Sequence, residues 1–469
     1  MCKEWALIVL VAVSGCAAYH PLPMTFEAVH AELSTADMNA LRLQAGAFKH
    51  PLLKSVPFDD RDGLSPDEAA ILAVVANPTL RAVRDRRGIA SAQLLQAGIL
   101  PNPRLTYKFG IPVAVSTQDG VNSFGLGLTW NIAALLSRGA RLDAAKAHAS
   151  SVDLVVAWQE WQVAEAARLH AYCLIFAEQK LTAAKKAKSF FQRLWKQVKR
   201  AVALGIKTQL DLAAAWASRQ EARVKALNAQ ATLEQERLAF KRALGLPAEK
   251  MIPLEKNIVP RLQQCPSART LFEDVEHKRL DLLALKLGYE SQEARVRSAV
   301  RSQFPKIRMG LTGGRGSEGI ETIGVAMRID LPFFDRNQGH IAAERASRQQ
   351  LFDQYAARLF ETRADIDRLV TAIAASRQRI TAIDQSLSAQ KTVAEKCRRA
   401  ALAGQIDVFF CYQTVGNLYN RQIERIKLQQ QMIEFGIALE IAAGRYGLVG
   451  ETGRWAQTHE RTTVVKMSQ

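Results

Sequence analysis

The sequence has no run of 18 apolar residues, and its mean hydropathy is −0.08. Ordinary membrane-spanning helices are thereby excluded. It lacks a Walker loop, an HExxH pair and a CxxC pair, and its 8 histidines are scattered without ligand spacing. No metal centre, no cofactor and no enzyme activity is therefore expected. Acid is in short supply: 45 Asp and Glu stand against 63 Lys and Arg, a net charge of +18. That balance suits nucleic acid or anionic lipid. No nucleic-acid-binding module appears, and most of the charge reads as a solvated helical surface.

Proline is absent from Leu142 to Leu204, with Gly139 before the stretch and Gly205 after it. Within it, Ala149, Val156, Val163, Ala177, Ala184, Phe191 and Val198 recur at seven-residue spacing, with His170 the one exception. A second row runs through Ala145, Val152, Ala166, Cys173, Ala187, Leu194 and Ala201. Two such rows define a coiled-coil seam on a helix of roughly 95 Å. A shift of 199 positions carries this stretch onto residues 341–403, where Gly404 meets Gly205 and Gly444 meets Gly245. Half the chain is duplicated.

Each long helix is preceded by a change of period. Leu105, Tyr107, Phe109 and Ile111 alternate with Thr106, Lys108 and Gly110. Phe124 to Ile132, Ile307 to Leu311 and Ile323 to Leu331 alternate likewise, giving two hairpins. One face of each strand is apolar and the other small or polar, as in strands crossing an outer membrane at a tilt. A sheet packed on a soluble core is the alternative. Lumen parity assigns Lys108, Thr129, Asn131, Arg308, Arg328 and Asp330 to the polar face. These charges either bias the lumen towards anions or simply solvate a wide pore. Gly313-Gly314-Arg315-Gly316 lies between two strands and reads as a hairpin loop, not a phosphate loop. Four strands cannot close a barrel, so copies must associate; three copies of four strands make a twelve-stranded barrel with room for a channel.

The order of helix, hairpin, long helix, glycine turn and return helix, run twice over about residues 65–445, resembles the TolC-like outer-membrane efflux channels. Leu80 and Leu282, Pro103 and Pro305, and Leu331-Pro332-Phe333-Phe334 carry the likeness. So does the turn Gly205-Ile206-Lys207-Thr208-Gln209-Leu210-Asp211-Leu212. The lipid-anchored subgroup serving resistance-nodulation-division pumps is the nearest in pattern. The resemblance implies a mainly α, internally duplicated chain that trimerises into a 12-stranded outer-membrane barrel continued by a periplasmic helical barrel. It further implies a periplasmic adaptor docked on the helical tips, an inner-membrane pump, and passive exit of drugs, metal ions or organic solutes. Tip residues are then Ala203, Leu204, Gly205, Thr208, Leu210 and Asp211, with Ala403, Gly404 and Asp407 in the second copy. Protein secretion through a type I exit channel, or a structural periplasmic coiled-coil lipoprotein, are the competing readings.

Several expectations complete the plan. Residues 1–15 read as a signal peptide, and Val13-Ser14-Gly15-Cys16 resembles a lipobox that leaves Cys16 acylated, as with palmitate. Residues 16–64 form a lipid-anchored arm, 65–245 the first repeat, 246–266 an equatorial linker, 267–445 the second repeat, and 446–469 a disordered tail. Cys397 and Cys411 each lie seven residues from Gly404, so either a disulfide or two buried thiols would fit. Lys185, Lys186, Lys188, Arg193, Lys196, Lys199 and Arg200 approach the first tip without an acid among them, as an adaptor-facing patch or a solvated face.

Overall fold

Ser65 opens the ordered body. Its side chain accepts from Glu68 N–H while Glu68 accepts from Ser65 N–H, a capping box that starts α3 with Pro66 at its first position. The computed structural model describes residues 18–34, 38–53, 63–113, 120–247, 249–250, 253–255, 258–402 and 407–451. The helices are α1 (Phe26–Ser34), α2 (Met38–Ala47), α3 (Pro66–Ala76), α4 (Pro78–Gly98), α5 (Ile132–Ala203) and α6 (Gln209–Leu244), then α7 (Ala268–Glu273), α8 (Val275–Lys278), α9 (Leu280–Arg301), α10 (Gln338–Leu402) and α11 (Val408–Ala443). The strands are β1 (Arg104–Gly110), β2 (Ser123–Asn131), β3 (Pro260–Leu262), β4 (Lys306–Arg315), β5 (Glu321–Asp330) and β6 (Val449–Glu451).

The long helix begins earlier than its periodicity suggests. Asn131, the last residue of β2, caps α5 by accepting from Ala134 N–H, so the chain passes from strand to helix with no loop. Gly139, which the sequence pattern places before the helix, lies inside α5, and a Cβ there would meet nothing within 4 Å. With 72 residues, α5 runs about 108 Å. The heptad seam holds towards the tip, where Cys173, Ala177, Ala184, Ala187, Phe191, Leu194 and Val198 are buried. Near the middle of the helix the pattern gives way. From Ala171 to Ala177 every residue is buried, because α5 passes there through the joined apolar clusters of both halves.

Each long helix lies beside two shorter ones stacked end to end, and the same joint serves both halves. Gly245 ends α6 in the left-handed region at φ 71°, and a Cβ on it would stand 2.5 Å from Asn77 Cα, in the break between α3 and α4. The Asn77 amide donates to Ala243 O. Gly444 ends α11 at φ 64°, pressed on Arg279 in the break between α8 and α9, and Arg279 donates to Ala442 O. Only glycine allows both the positive φ and the close approach. The helical segment after residue 267 is divided into α7, α8 and α9, with this joint at its last interruption.

The tail departs from expectation. Residues 449–451 form β6, antiparallel to β3, and Tyr446 donates its hydroxyl to Asp67; residues 452–469 lie outside the described set. Both contacts lead to one buried guanidinium. Arg168 is 0% exposed, and its Nη1 reaches Glu165 Oε2 at 2.8 Å and Glu440 Oε2 at 2.5 Å. Its Nε lies 3.0 Å from Asp67 Oδ1, its Nη2 donates to Val449 O at 2.8 Å, and its plane covers the Tyr446 ring. Glu440 also accepts from Val449 N–H. One cation thus binds α3, α5, α11 and β6 together.

Three carboxylates share that one cation. Burial pushes the Glu165 carboxyl up to about 8, against the pull of Arg168 and with the nearby Glu440 charge adding to the rise. The folded chain therefore keeps a proton that an unfolded Glu, at its ordinary 4.5, has already lost. The native state binds more protons than the unfolded state in this window, so stability falls as pH rises through it. The thermal midpoint of the detergent-solubilised chain, followed by circular dichroism, should fall from about pH 5 to about pH 8. Glu165→Gln should flatten that slope; an undiminished slope would show that the proton sits elsewhere.

Candidate functional site

The four long strands form one antiparallel sheet in the order β1-β2-β4-β5. Register fixes which residues share a face. Arg104 pairs with Thr129, which pairs with Gly310, which pairs with Ala326. In the next row of the same face, towards the helices, stand Asn131, Arg308 and Arg328, then Lys306 opposite Asp330. Away from the helices the rows are Thr106-Gly127-Thr312-Gly324 and Lys108-Gly125-Gly314-Thr322. All six residues assigned to lumen parity therefore lie on one face. Asn131 is spoken for as the helix cap, and Arg308 pairs with Asp330 at 2.8 Å. Arg104 and Lys306 share the face but were missed, because the apolar alternation was read only from Leu105 and Ile307 onwards.

This face is the crowded one. A Cβ at Gly310 would stand 2.2 Å from Leu128 O, and one at Gly314 would stand 2.4 Å from Phe124 O. Side chains crowd on the concave side of a curled sheet, so small residues mark the inside of the curve. Gly313 to Arg315, expected in a loop, belong to β4, and the turn follows them.

The opposite face carries Leu105, Tyr107, Phe109, Phe124, Leu126, Leu128, Trp130, Met309, Leu311, Ile323, Val325, Met327 and Ile329, all exposed, with Ile323 at 94%. An apolar surface of this extent has no reason to face water. Phe333 and Phe334, at the exit of β5, are also exposed. The outer edges of β1 and β5 have no ladder partner among the described residues.

At the other end of the long helices stand the tips. Gly205 takes φ 71° and Ile206 N–H returns to Ala201 O, so α5 stops in a Schellman-type turn. Thr208 then caps α6: its Oγ1 accepts from Asp211 N–H, while Asp211 accepts from Thr208 N–H and Oγ1. The Thr208 backbone N–H, and then its hydroxyl, hold the Asp211 carboxyl below the usual range. Ala203, Leu204, Gly205, Thr208, Leu210 and Asp211 thus come together, with Leu204, Ile206 and Leu210 exposed. In the second copy Asp407 caps α11 through Phe409 N–H, and Phe409 and Phe410 are exposed. Ala403 and Gly404 lie outside the described residues, as does Cys16.

Above the tips lies an aromatic cluster of which periodicity revealed only Phe191. Phe190, Phe191, Tyr412 and Tyr419 make ring contacts, and Trp195 has Lys199 and Arg219 within 5.5 and 4.3 Å of its ring. Cys397 and Cys411 are both buried in this cluster as thiols, with no bridge between them. Lys185, Lys186, Lys188, Arg193, Lys196, Lys199 and Arg200 are all exposed.

A two-faced sheet carried on helices about 100 Å long, with hairpin tips at the far end, is the geometry that a barrel extended by a helical tunnel requires. Residues 271–445 match the family described as Outer membrane efflux protein. The cobalt-zinc-cadmium resistance protein CzcC of Cupriavidus metallidurans is 22% identical over 360 residues, 76% of this chain and 81% of that one. The fold is similar to that of CusC, at TM-score 0.68 and 15% identity, covering 85% of this chain and 98% of that one. It is also similar to the outer membrane protein VceC of Vibrio cholerae, at TM-score 0.66 and 17% identity, covering 81% and 96%. The second half of the chain thus matches the Outer membrane efflux protein family, and the fold of the chain is that of the channels.

Thr208→Ala removes the side-chain half of the capping box and the hydroxyl's bond to Asp211, leaving the Thr208 N–H bond to Asp211 in place. It should cost about 1 kcal/mol of local stability. Hydrogen exchange at residues 209–212 should then run roughly five-fold faster, with the equatorial amides unchanged. Equal exchange in both proteins would mean that neighbouring packing, not the cap, holds the turn.

Proposed function

We propose that three copies of this chain close one twelve-stranded barrel in the outer membrane, and that the helices continue it as a tunnel into the periplasm. The carrying observation is the pairing of an exposed apolar face with two open strand edges. Hydrocarbon accepts the face but not the edges, whose N–H and C=O groups must find partners. Another copy supplies them edge to edge. The repeats 65–245 and 267–445 serve as two quasi-equivalent staves, a reading supported by the joints at Gly245 and Gly444. Cys16 is the lipid attachment that holds the N-terminal arm to the membrane.

The duct is passive and performs no catalysis. It forms the exit of a tripartite system, energised by an inner-membrane pump of the resistance-nodulation-division type. A periplasmic adaptor joins the two at the tips. The exposed apolar residues around Gly205 and Asp407 support docking there, because such residues at a helix turn favour a covering partner. The seven exposed basic residues above the first tip supply the charge that orients the adaptor. The name of the relative CzcC raises metal ions as cargo, while organic solutes fit the same fold.

Two measurements test this reading. Ile323→Arg sets a charge on the apolar face, at a cost of about 2–4 kcal/mol near the bilayer midplane. It should reduce the heat-modifiable trimer in outer-membrane fractions, while Thr322→Arg, on the other face, should be tolerated. Equal yields from both variants would remove the assignment of faces. Reversing Lys196, Lys199 and Arg200 to Glu should lower adaptor co-purification, more so at low salt; undiminished recovery would make the patch a solvated surface.

A further inference from the structure

On the reading of the sheet as one third of a barrel, the polar face of the strands has a definite sign. It carries Arg104, Lys108, Lys306, Arg308 and Arg328 against the single carboxylate of Asp330. Five cations less one anion leave a net charge of +4 on this face of each chain. Four of the five stand in the three rows nearest the helices, where solutes arriving from the helical tunnel enter the sheet. Apart from Lys108, the other rows are glycine, threonine and serine, so little that is large stands between these side chains and the open duct.

Two observations separate this belt from ordinary solvation. Arg308 and Arg328 are direct cross-strand partners. Like charges set opposite one another weaken strand pairing, and mixed signs would solvate the pore equally well without that cost. Asp330 reaches only Arg308, at 2.8 Å. The dimensions also make the charge effective. Twelve strands about 4.8 Å apart and tilted by about 40° close a barrel of roughly 12 Å radius. Arginine side chains extending inward then bring a passing solute within the Debye length of about 8 Å at physiological salt.

We propose that this belt makes the barrel an anion-preferring exit, so that the exported solutes are small anions bearing carboxylate, phosphate or similar oxyanion groups. The guanidinium fork matches such groups with paired N–H donors. Their local concentration rises in the same field that a hydrated divalent cation has to climb. This sets the chain's cargo apart from bare metal cations.

Selectivity is read from single-channel recordings of the full-length chain in neutral planar bilayers under a KCl gradient. The reversal potential of the unaltered channel should report chloride permeating several-fold better than potassium. Arg308→Gln with Arg328→Gln, which halves the charge of the face to +2, should lower the ratio, and Arg308→Glu with Arg328→Glu, which brings it to zero, should bring the ratio close to one. Arg315→Gln, on the apolar parity at the far end of β4, should leave it unchanged. A potassium-preferring unaltered channel overturns the inference and leaves the duct intact, as does a ratio unmoved by the neutralised pair. Absence of any conductance removes the duct reading and this inference with it.

Discussion

Unpaired backbone polar groups are far more costly in hydrocarbon than in water, and the rest of this chain follows from that constraint. The sheet from Arg104 to Asp330 shows large side chains on one side and leaves two edges open. In water the apolar face would be a liability, and in a bilayer the edges would be. The proposed association of copies edge to edge would relieve both. The glycines at positions 310 and 314 fit this account, since a curled sheet needs room on its inner face where neighbouring strands approach.

The helical part answers a different requirement, which is length without lateral bulk. A helix of 72 residues cannot be stabilised by propensity alone, so it needs packing along its whole course. The tip half obtains this from an alanine-rich seam that lets α6 and α11 lie close. The middle obtains it from burial on every side, and there polar groups are drawn into the interior. Arg168, Glu165 and Glu440 form the costliest part of that interior, and they link the first repeat to the end of the second. Such a cluster contributes little net stability, but a misplaced partner leaves an uncompensated charge, so it favours one arrangement of the elements.

The two ends of the molecule then differ in character. The sheet presents a positive face to whatever passes through it, whereas the tips offer Leu204, Ile206, Leu210, Phe409 and Phe410 around two capped turns. Charge acts on solutes over several ångströms, while apolar contact acts only on a surface that comes to rest. On the proposed function, transit belongs to the first end and docking to the second.

Local pattern alone determined the strands, the long helices and the glycine turns, because each rests on neighbours within a few residues. Gly139 and residues 446–451 were misjudged for the complementary reason. Gly139 has helical neighbours and a cap at Asn131 that only the strand-to-helix junction supplies. Residues 446–451 are ordered by Arg168, Glu440 and Asp67, which are distant in sequence. The six lumen assignments share one face because strand parity is local, but the alignment of Arg308 with Arg328 required the register of the folded sheet. Tertiary structure alone decided which side chains meet across the repeats, since those contacts depend on how whole elements pack and not on the spacing within any one of them.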